Sequence, residues 1–341
     1  IRKRSLDRPS FIADLFARSA LFEGRAGEPS HGTLLSLAQI NLEDIKSFYE
    51  FQYKNGNPIF SLTGKFDKAF EKEFQSFVDQ NFSYQEKIAP SPVDPAYKKP
   101  RLRLLTKEGL VQSEVRLAYL LFPFPKNDFK TVLSLKLANS ILGRGGMSSR
   151  LFNELREKRG LTYSVNSSVN LGRNYGFFDI SGATKNASVR EFIEQTLLNL
   201  KRIKKEGVSP AELNKAKNQL KMWYLKNIES PEDFLNRWIY YTEYLGLNPK
   251  ELNRYLSLLE SLSLEEVNAV FDKFVLSEGV DRLKSLKKSK QTNNKAYLQV
   301  LIYGDPSIQS QLEGIEGLPP LEVTSFEDHF KQELSFQTDP K

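Results

Sequence analysis

The chain contains no cysteine. Disulfides, thiolate zinc sites and a cysteine nucleophile are therefore excluded, and the redox compartment is left open. Histidine is scarce: the two present, His31 and His329, stand almost 300 positions apart. Neither belongs to an HExxH or HxxEH pair, so a histidine-built zinc site within these residues is not expected. A Ser-His-Asp triad would need one of the two, and each reads as a surface or hydrogen-bonded polar residue. No apolar run reaches 18 residues, so no transmembrane segment is expected. The opening IRKRSLDRPS lacks the apolar core of a signal peptide.

What is present is ordinary globular material. Of 341 residues, 40 % are hydrophobic, with 24 Phe and 14 Tyr. That suffices for packed cores, and the length suggests two or three domains. Charged residues, 27 % of the total, are well mixed, which argues against disorder. The net charge of +7 is modest for this length. No nucleic-acid motif accompanies it, so no nucleic-acid partner is expected.

Hydrophobic periodicity and turn chemistry give the order of elements. Residues 1–24 read as a helix with an apolar stripe at Phe11, Ile12, Leu15, Phe16 and Phe22. A second helix opens at Asn41, its N-cap. A short strand spans Ile59–Thr63, and a helix runs from about Asp67 to Asp79. Residues 85–100 hold four prolines and read as a linker. Beyond it come strands at Arg101–Leu105 and Ser113–Phe122 and a helix at Asp128–Leu142. A glycine-rich turn (Gly143, Gly145, Gly146) follows, then a helix at Arg150–Lys158 with Ser148 or Ser149 as its cap. Gly160 ends that helix. Two antiparallel strands turn at Gly172-Arg173-Asn174, and a helix runs from Ala187 to Lys205. Ser209-Pro210-Ala211-Glu212 forms a capping box for the next helix. Tyr297–Tyr303 is a strand ending at Gly304, and the tail past Pro319 is expected to be irregular and wrap the surface.

Two stretches repeat. Shifted by 222 positions, residues 9–52 place Pro9 on Pro231, Gly24 on Gly246, Ile40 on Leu262, Glu43 on Glu265, Ile45 on Val267 and Tyr49 on Phe271. The strand before Gly64 matches that before Gly304 at a shift of 240. The difference of 18 equals the length of the polar segment 277–294, read as a surface insertion that includes the Lys284–Lys290 run. Under the first shift Ile1 falls on Trp223, mid-helix. About 120 residues precede that point in the second unit and have no counterpart in the first. The first unit therefore reads as a half-domain belonging to a fragment, a cleaved form or an assembly. A natural protein with a degenerate first domain is the alternative.

The string Leu142-Gly143-Arg144-Gly145-Gly146-Met147-Ser148-Ser149-Arg150-Leu151-Phe152, continued by Glu154-Leu155-Arg156-Glu157-Lys158-Arg159-Gly160-Leu161-Thr162-Tyr163-Ser164-Val165, resembles the pitrilysin/insulinase family of zinc metallopeptidases, which includes the mitochondrial processing peptidase. The resemblance implies an α+β fold of tandem domains, each a mostly antiparallel sheet with helices on one face. Residues 1–84 would be the second half of the first domain, 85–100 the linker, 101–318 the second domain and 319–341 a tail. It also implies zinc, held in such enzymes by HxxEH and a distant Glu. No HxxEH occurs here, so zinc is expected in the complete family enzyme and none in this chain alone.

Arg156 and Tyr163, seven residues apart across a helix-to-strand junction, match a family pair that binds substrate and stabilises the oxyanion. A fixed cation and a phenol aimed at developing charge can each lower the barrier by roughly 3 kcal/mol. Spacing alone favours the plainer reading, in which Arg156 pairs with Glu154 or a nearby surface carboxylate and Tyr163 packs in the sheet; the family string favours the pair. Arg144, Gly145 and Gly146 are candidate substrate contacts, since a glycine-rich loop near this point touches substrate in processing-peptidase relatives. The turn fits neither a dinucleotide fingerprint nor a P-loop. The expected function is the substrate-binding portion of a zinc metalloendopeptidase; the alternative is a non-catalytic scaffold or peptide-binding subunit. Expected partners are a peptide or unfolded polypeptide and a catalytic HxxEH subunit or a second copy of the chain.

Overall fold

The computed structural model describes residues 7–56, 58–83, 96, 99–125, 127–273 and 297–330. The whole 277–294 insertion with its Lys284–Lys290 run, and the proline-rich stretch expected as a linker except for residues 96, 99 and 100, lie outside these residues.

The architecture is organised by a six-stranded sheet in the order β3-β4-β2-β5-β1-β6. Its strands are β1 (Arg101–Thr106), β2 (Gln112–Leu121), β3 (Thr162–Leu171), β4 (Gly176–Lys185), β5 (Gln299–Gly304) and β6 (Leu321–Ser325). The pairs β2–β4, β3–β4 and β2–β5 are antiparallel; β1 pairs in parallel with β5 and β6. The expected α+β class with a mostly antiparallel sheet is thus observed.

Among the described residues four α-helices precede the sheet: α1 (Pro9–Leu21), α2 (Leu34–Gln39), α3 (Leu42–Phe48) and α4 (Lys68–Asn81). Then come α5 (Phe129–Asn139), α6 (Val189–Glu206), α7 (Pro210–Lys226), α8 (Pro231–Trp238), α9 (Pro249–Asn253), α10 (Tyr255–Ser261) and α11 (Leu264–Phe271). α5 buries residues on nearly every side, including Val132, Leu133, Leu135 and Leu137, as a helix apolar all round must. It and α6 form the main core against Val115, Leu117, Val300 and Ile302 of the central strands.

The opposite face is also covered. Ile12 and Phe16 of α1 pack on Leu105, Leu301 and Tyr303, because alternate strand residues point to opposite faces and both sets here are apolar. The expectation of helices on one face therefore holds for the second unit alone, whose sheet takes a first-unit helix on its back. Arg116, buried on β2, anchors it: the guanidinium contacts Asp14 at 2.8 Å and Glu114 at 3.0 Å and donates to the Ser10 carbonyl.

Two expected features are corrected. Ile59–Thr63 forms no strand, because a strand exists only through a hydrogen-bonded neighbour and none lies beside it among the described residues. The tail past Pro319 is not irregular throughout. Leu321–Ser325 adds β6 to the sheet edge, and Phe326 and Phe330 enter the α1 core.

The repeat is visible in the caps. Asn41 and Ser263, 222 positions apart, each accept from the N3 backbone N–H, and Asp44 and Glu266 reach back to the caps. Gly24 and Gly246 both take positive φ, 59° and 75°. Burial then diverges. Val267 and Phe271 are 0 % and 2 % exposed, whereas Ile45 and Tyr49 are 57 % and 53 % exposed. α10 and α11 pack on α5; among the described residues α2 and α3 have no equivalent of α5 to lie on.

Candidate functional site

The stretch after α5 is shaped by widened turns and close backbone approach. α5 continues into a π-helical turn, Ser140–Arg144, closed by the Gly145 N–H on the Ser140 carbonyl at 2.8 Å. Gly143 sits on β3: a Cβ there would lie 2.7 Å from the Ser167 backbone nitrogen. Asn139 at the end of α5 accepts from the Ser167 hydroxyl at 2.6 Å, fixing helix to strand. Neither serine caps the next turn as expected. The Ser148 and Ser149 hydroxyls donate backward to the Gly145 and Gly146 carbonyls, and Ser148 accepts from Gln219. Arg150 makes a forked pair with Glu212 of the α7 capping box and donates to the Gly207 carbonyl. The guanidinium and the Ser209 contacts hold the Glu212 carboxyl down at about 2.

Phe152–Glu157 is a second π-helical turn. It stops at Gly160, φ 62°, where the Gly160 N–H reaches the Arg156 carbonyl and the Leu161 N–H reaches that of Leu155. This is a Schellman-like closure widened by one residue after the π-helical turn, and it too turns on the left-handed residue. β3 follows at once, with an irregular register between Thr162 and Val165. Tyr163 lies in that bulge on the outermost strand and is 78 % exposed.

Arg156 is not paired with Glu154. That carboxylate is occupied by Lys158, Arg159 and Arg202. Arg156 instead lies 4.8 Å over the Phe152 ring, with Glu157 a distant 3.9 Å away. Tyr163 is not packed in the sheet. Both side chains stand at the surface on adjoining segments, the turn and β3 being in contact.

Arg144, Gly145 and Gly146 fall elsewhere, on the wall of a cavity of ≈ 1670 Å³ between α5, α7, the end of β3 and the Ile239–Tyr244 turn after α8. Arg144 lies 5.4 Å over Trp223 at its rim. Arg156 and Tyr163 do not line it. The sequence-selected residues therefore separate into a surface pair and a cavity wall.

The cavity also holds residues that sequence reading missed. Lys136 donates to the Tyr241 hydroxyl at 2.5 Å. Burial opposes the Lys136 charge, but Tyr241 and Tyr255 outweigh it and raise its pKa; burial raises the Tyr241 phenol, and Lys136 brings it below its usual range. The Arg237 guanidinium faces three rings, Tyr224, Tyr255 and Tyr241, at 4.4, 5.0 and 5.2 Å. The one available signal was Lys136 itself, a lysine amid the apolar positions of FKTVLSLKLAN.

Among the described residues no group of three or more His, Asp or Glu side chains is placed to hold a metal ion. His329 packs edge-on to Phe16 and Phe330, and burial together with Arg103 lowers its pKa. No helix among the described residues is long and apolar enough to cross a membrane.

Sheet, helices and the site string place this molecule among peptidase-like α+β proteins. Residues 39–220, just over half of the chain, match the family described as the Peptidase M16 inactive domain, and the chain belongs to the M16 peptidase family. The resemblance to the zinc metallopeptidases of that family is borne out. The chain is 28 % identical over 270 residues to the uncharacterized zinc protease YmxG of Bacillus subtilis, covering 77 % of this chain and 63 % of that protein. It thus spans less than two-thirds of that relative. Its fold is similar to that of a peptidase M16 inactive domain from Pseudomonas fluorescens, with TM-score 0.72 and 22 % identity over 94 % of this chain and 69 % of that one. A chain of Complex III2 from Candida albicans is similar with TM-score 0.66 and 15 % identity, covering 92 % and 70 %.

Proposed function

We propose that this chain is the substrate-binding portion of an M16 zinc metalloendopeptidase, acting on peptide or unfolded polypeptide together with a zinc-bearing HxxEH segment or subunit. The observation that carries the reading is the accessible Arg156 and Tyr163 pair on adjoining segments at the sheet's outer edge. An exposed cation whose nearest carboxylate, Glu157, is 3.9 Å away, and a phenol projecting from a bulge, would suit a peptide carbonyl and the charge that develops on it. The described residues offer no constellation of His, Asp or Glu that fits zinc.

The half-domain division expected at residues 84 and 101 belongs to the same proposal. α2 and α3 carry the apolar pattern of α10 and α11, and among the described residues nothing equivalent to α5 covers them. An exposed face of this kind marks an interface. The layer that completes it would come from further polypeptide or from a partner subunit.

In the zinc-containing assembly, Arg156→Ala and Tyr163→Phe should each lower kcat/KM by 10²-fold or more, the equivalent of about 3 kcal/mol, with zinc content unchanged. Turnover unaltered in both variants would remove the assigned roles. It would favour the second reading, a non-catalytic scaffold or peptide-binding subunit, which agrees with the "inactive domain" description of the matched family.

A further inference from the structure

The cavity between α5, α7 and the Ile239–Tyr244 turn has the charge of a site, not of a packing defect. Its wall carries four cationic side chains, Lys136, Arg144, Lys215 and Arg237, and no Asp or Glu. Among the described residues none of the four is in an ion pair. Elsewhere the chain pairs its cations readily, as Glu154 shows.

Hydrogen-bond capacity is equally one-sided. The Nε of Arg237 is buried and has no partner. Lys136 gives one proton to Tyr241 and keeps two donors; the Tyr241 hydroxyl, having accepted, keeps its own proton to give. A buried donor without an acceptor is unfavourable, and a ligand that brings acceptors would relieve it. The stacked rings of Tyr224 and Tyr255, 4.1 Å apart, hold Arg237 in place through its cation–π contacts.

Size narrows the ligand. At ≈ 1670 Å³ the space exceeds the ~300–1,000 Å³ usual for small-molecule sites. Two widened turns open it, Ser140–Arg144 and Ile239–Tyr244, closed by bonds at 2.8 and 3.0 Å to residues five positions back. Such turns recur at functional sites. The Arg144 rim places the cavity mouth on the glycine-rich loop.

We infer that this cavity is a recognition site for an acidic segment of a peptide, whose carboxylate is received by Lys136, Arg237 and the Tyr241 hydroxyl. The inference rests on the reading of the chain as a peptide-binding one. It is independent of the Arg156 and Tyr163 roles, because it concerns equilibrium binding to this chain without cleavage.

The test uses the full chain and three blocked pentapeptides that differ only in a central Glu, Gln or Lys. Binding is followed by calorimetry and by tryptophan fluorescence, Trp223 lying at the rim. The Glu peptide should bind at least tenfold tighter than the Gln peptide, and the Lys peptide more weakly still. Lys136→Met should abolish the Glu preference. Tyr241→Phe, which keeps the ring and the fold, should reduce it several-fold. Equal affinity for Glu and Gln peptides, or a preference untouched by Tyr241→Phe, would overturn the proposal. So would inorganic phosphate binding here more tightly than the Glu peptide, which would mark a phosphate site. Lost Glu preference with intact turnover in the assembly, or the reverse, separates this proposal from the Arg156 and Tyr163 reading.

Discussion

At the scale of single residues, the ion pairs do unequal work. Arg150 and Glu212 tie the site string to the start of α7, and the folded Glu212 carboxyl titrates at about 2. A depressed carboxylate contributes stability that is present above its unfolded pKa and lost as pH falls through the folded one. The loss should therefore fall between about pH 4.5 and 2. The pair is partly exposed, with side chains 20 % and 30 % accessible, so solvent screening holds its worth to about 1 kcal/mol. Glu212→Gln should lower stability near pH 7 by that amount and leave stability at pH 2 unchanged, measured by urea unfolding across pH. Arg116 is more costly to remove, because its charge and donors lie inside the α1–sheet contact. Arg116→Met should destabilise the chain by about 2–3 kcal/mol, with protease cleavage appearing first in α1. Most of these contacts were not legible in the sequence. Arg116 reads as an alternate strand residue, and nothing local names Asp14, about a hundred positions away, as its partner.

At the scale of elements, caps and glycines were legible because their signals are local. Asn41, Ser209 and Ser263 act as caps through side chains two or three residues from the groups they satisfy. The exception is Ser148 and Ser149, where the backward bonds of a tight turn displaced capping. Gly160→Ala should cost about 1–2 kcal/mol, the left-handed penalty for a residue with Cβ, visible as a lowered Tm. Gly143 is different in kind: its φ is unremarkable, and close approach of β3 makes it necessary. Elements that depend on distant partners were misread. Ile59–Thr63 has the composition of a strand and no neighbour, while Leu321–Ser325 became a strand because the edge of β1 was open to it.

At the scale of the molecule, the two repeats make a controlled comparison. Val267 and Ile45 occupy matching places under matching caps, one on α5 and the other facing solvent. Val267→Ala should cost about 2 kcal/mol of stability, the transfer loss of two buried carbons plus the cavity left behind. Ile45→Ala should change the stability of the chain by less than about 0.5 kcal/mol, and become costly only in an assembly that covers α2 and α3. Denaturation of both variants, alone and in the assembly, reads this directly. The candidate sites differ in the same way: Arg156 and Tyr163 stand at the surface near the sheet edge, whereas the cationic cavity is lined by several elements of this chain.

The sequence by itself determined the family and the α+β class and made the repeated caps legible, because motif spacing, periodicity and capping are short-range properties written into consecutive residues; the roles of Arg156 and Tyr163 stay with the proposal. The tertiary structure alone decided that α1 lies on the back of the sheet and that Glu154 is taken by other cations. It also showed that Lys136, Arg237 and the tyrosines converge on one cavity. Those facts depend on segments up to a hundred or more positions apart meeting in space, where burial and the count of donors against acceptors fix what each side chain is free to do.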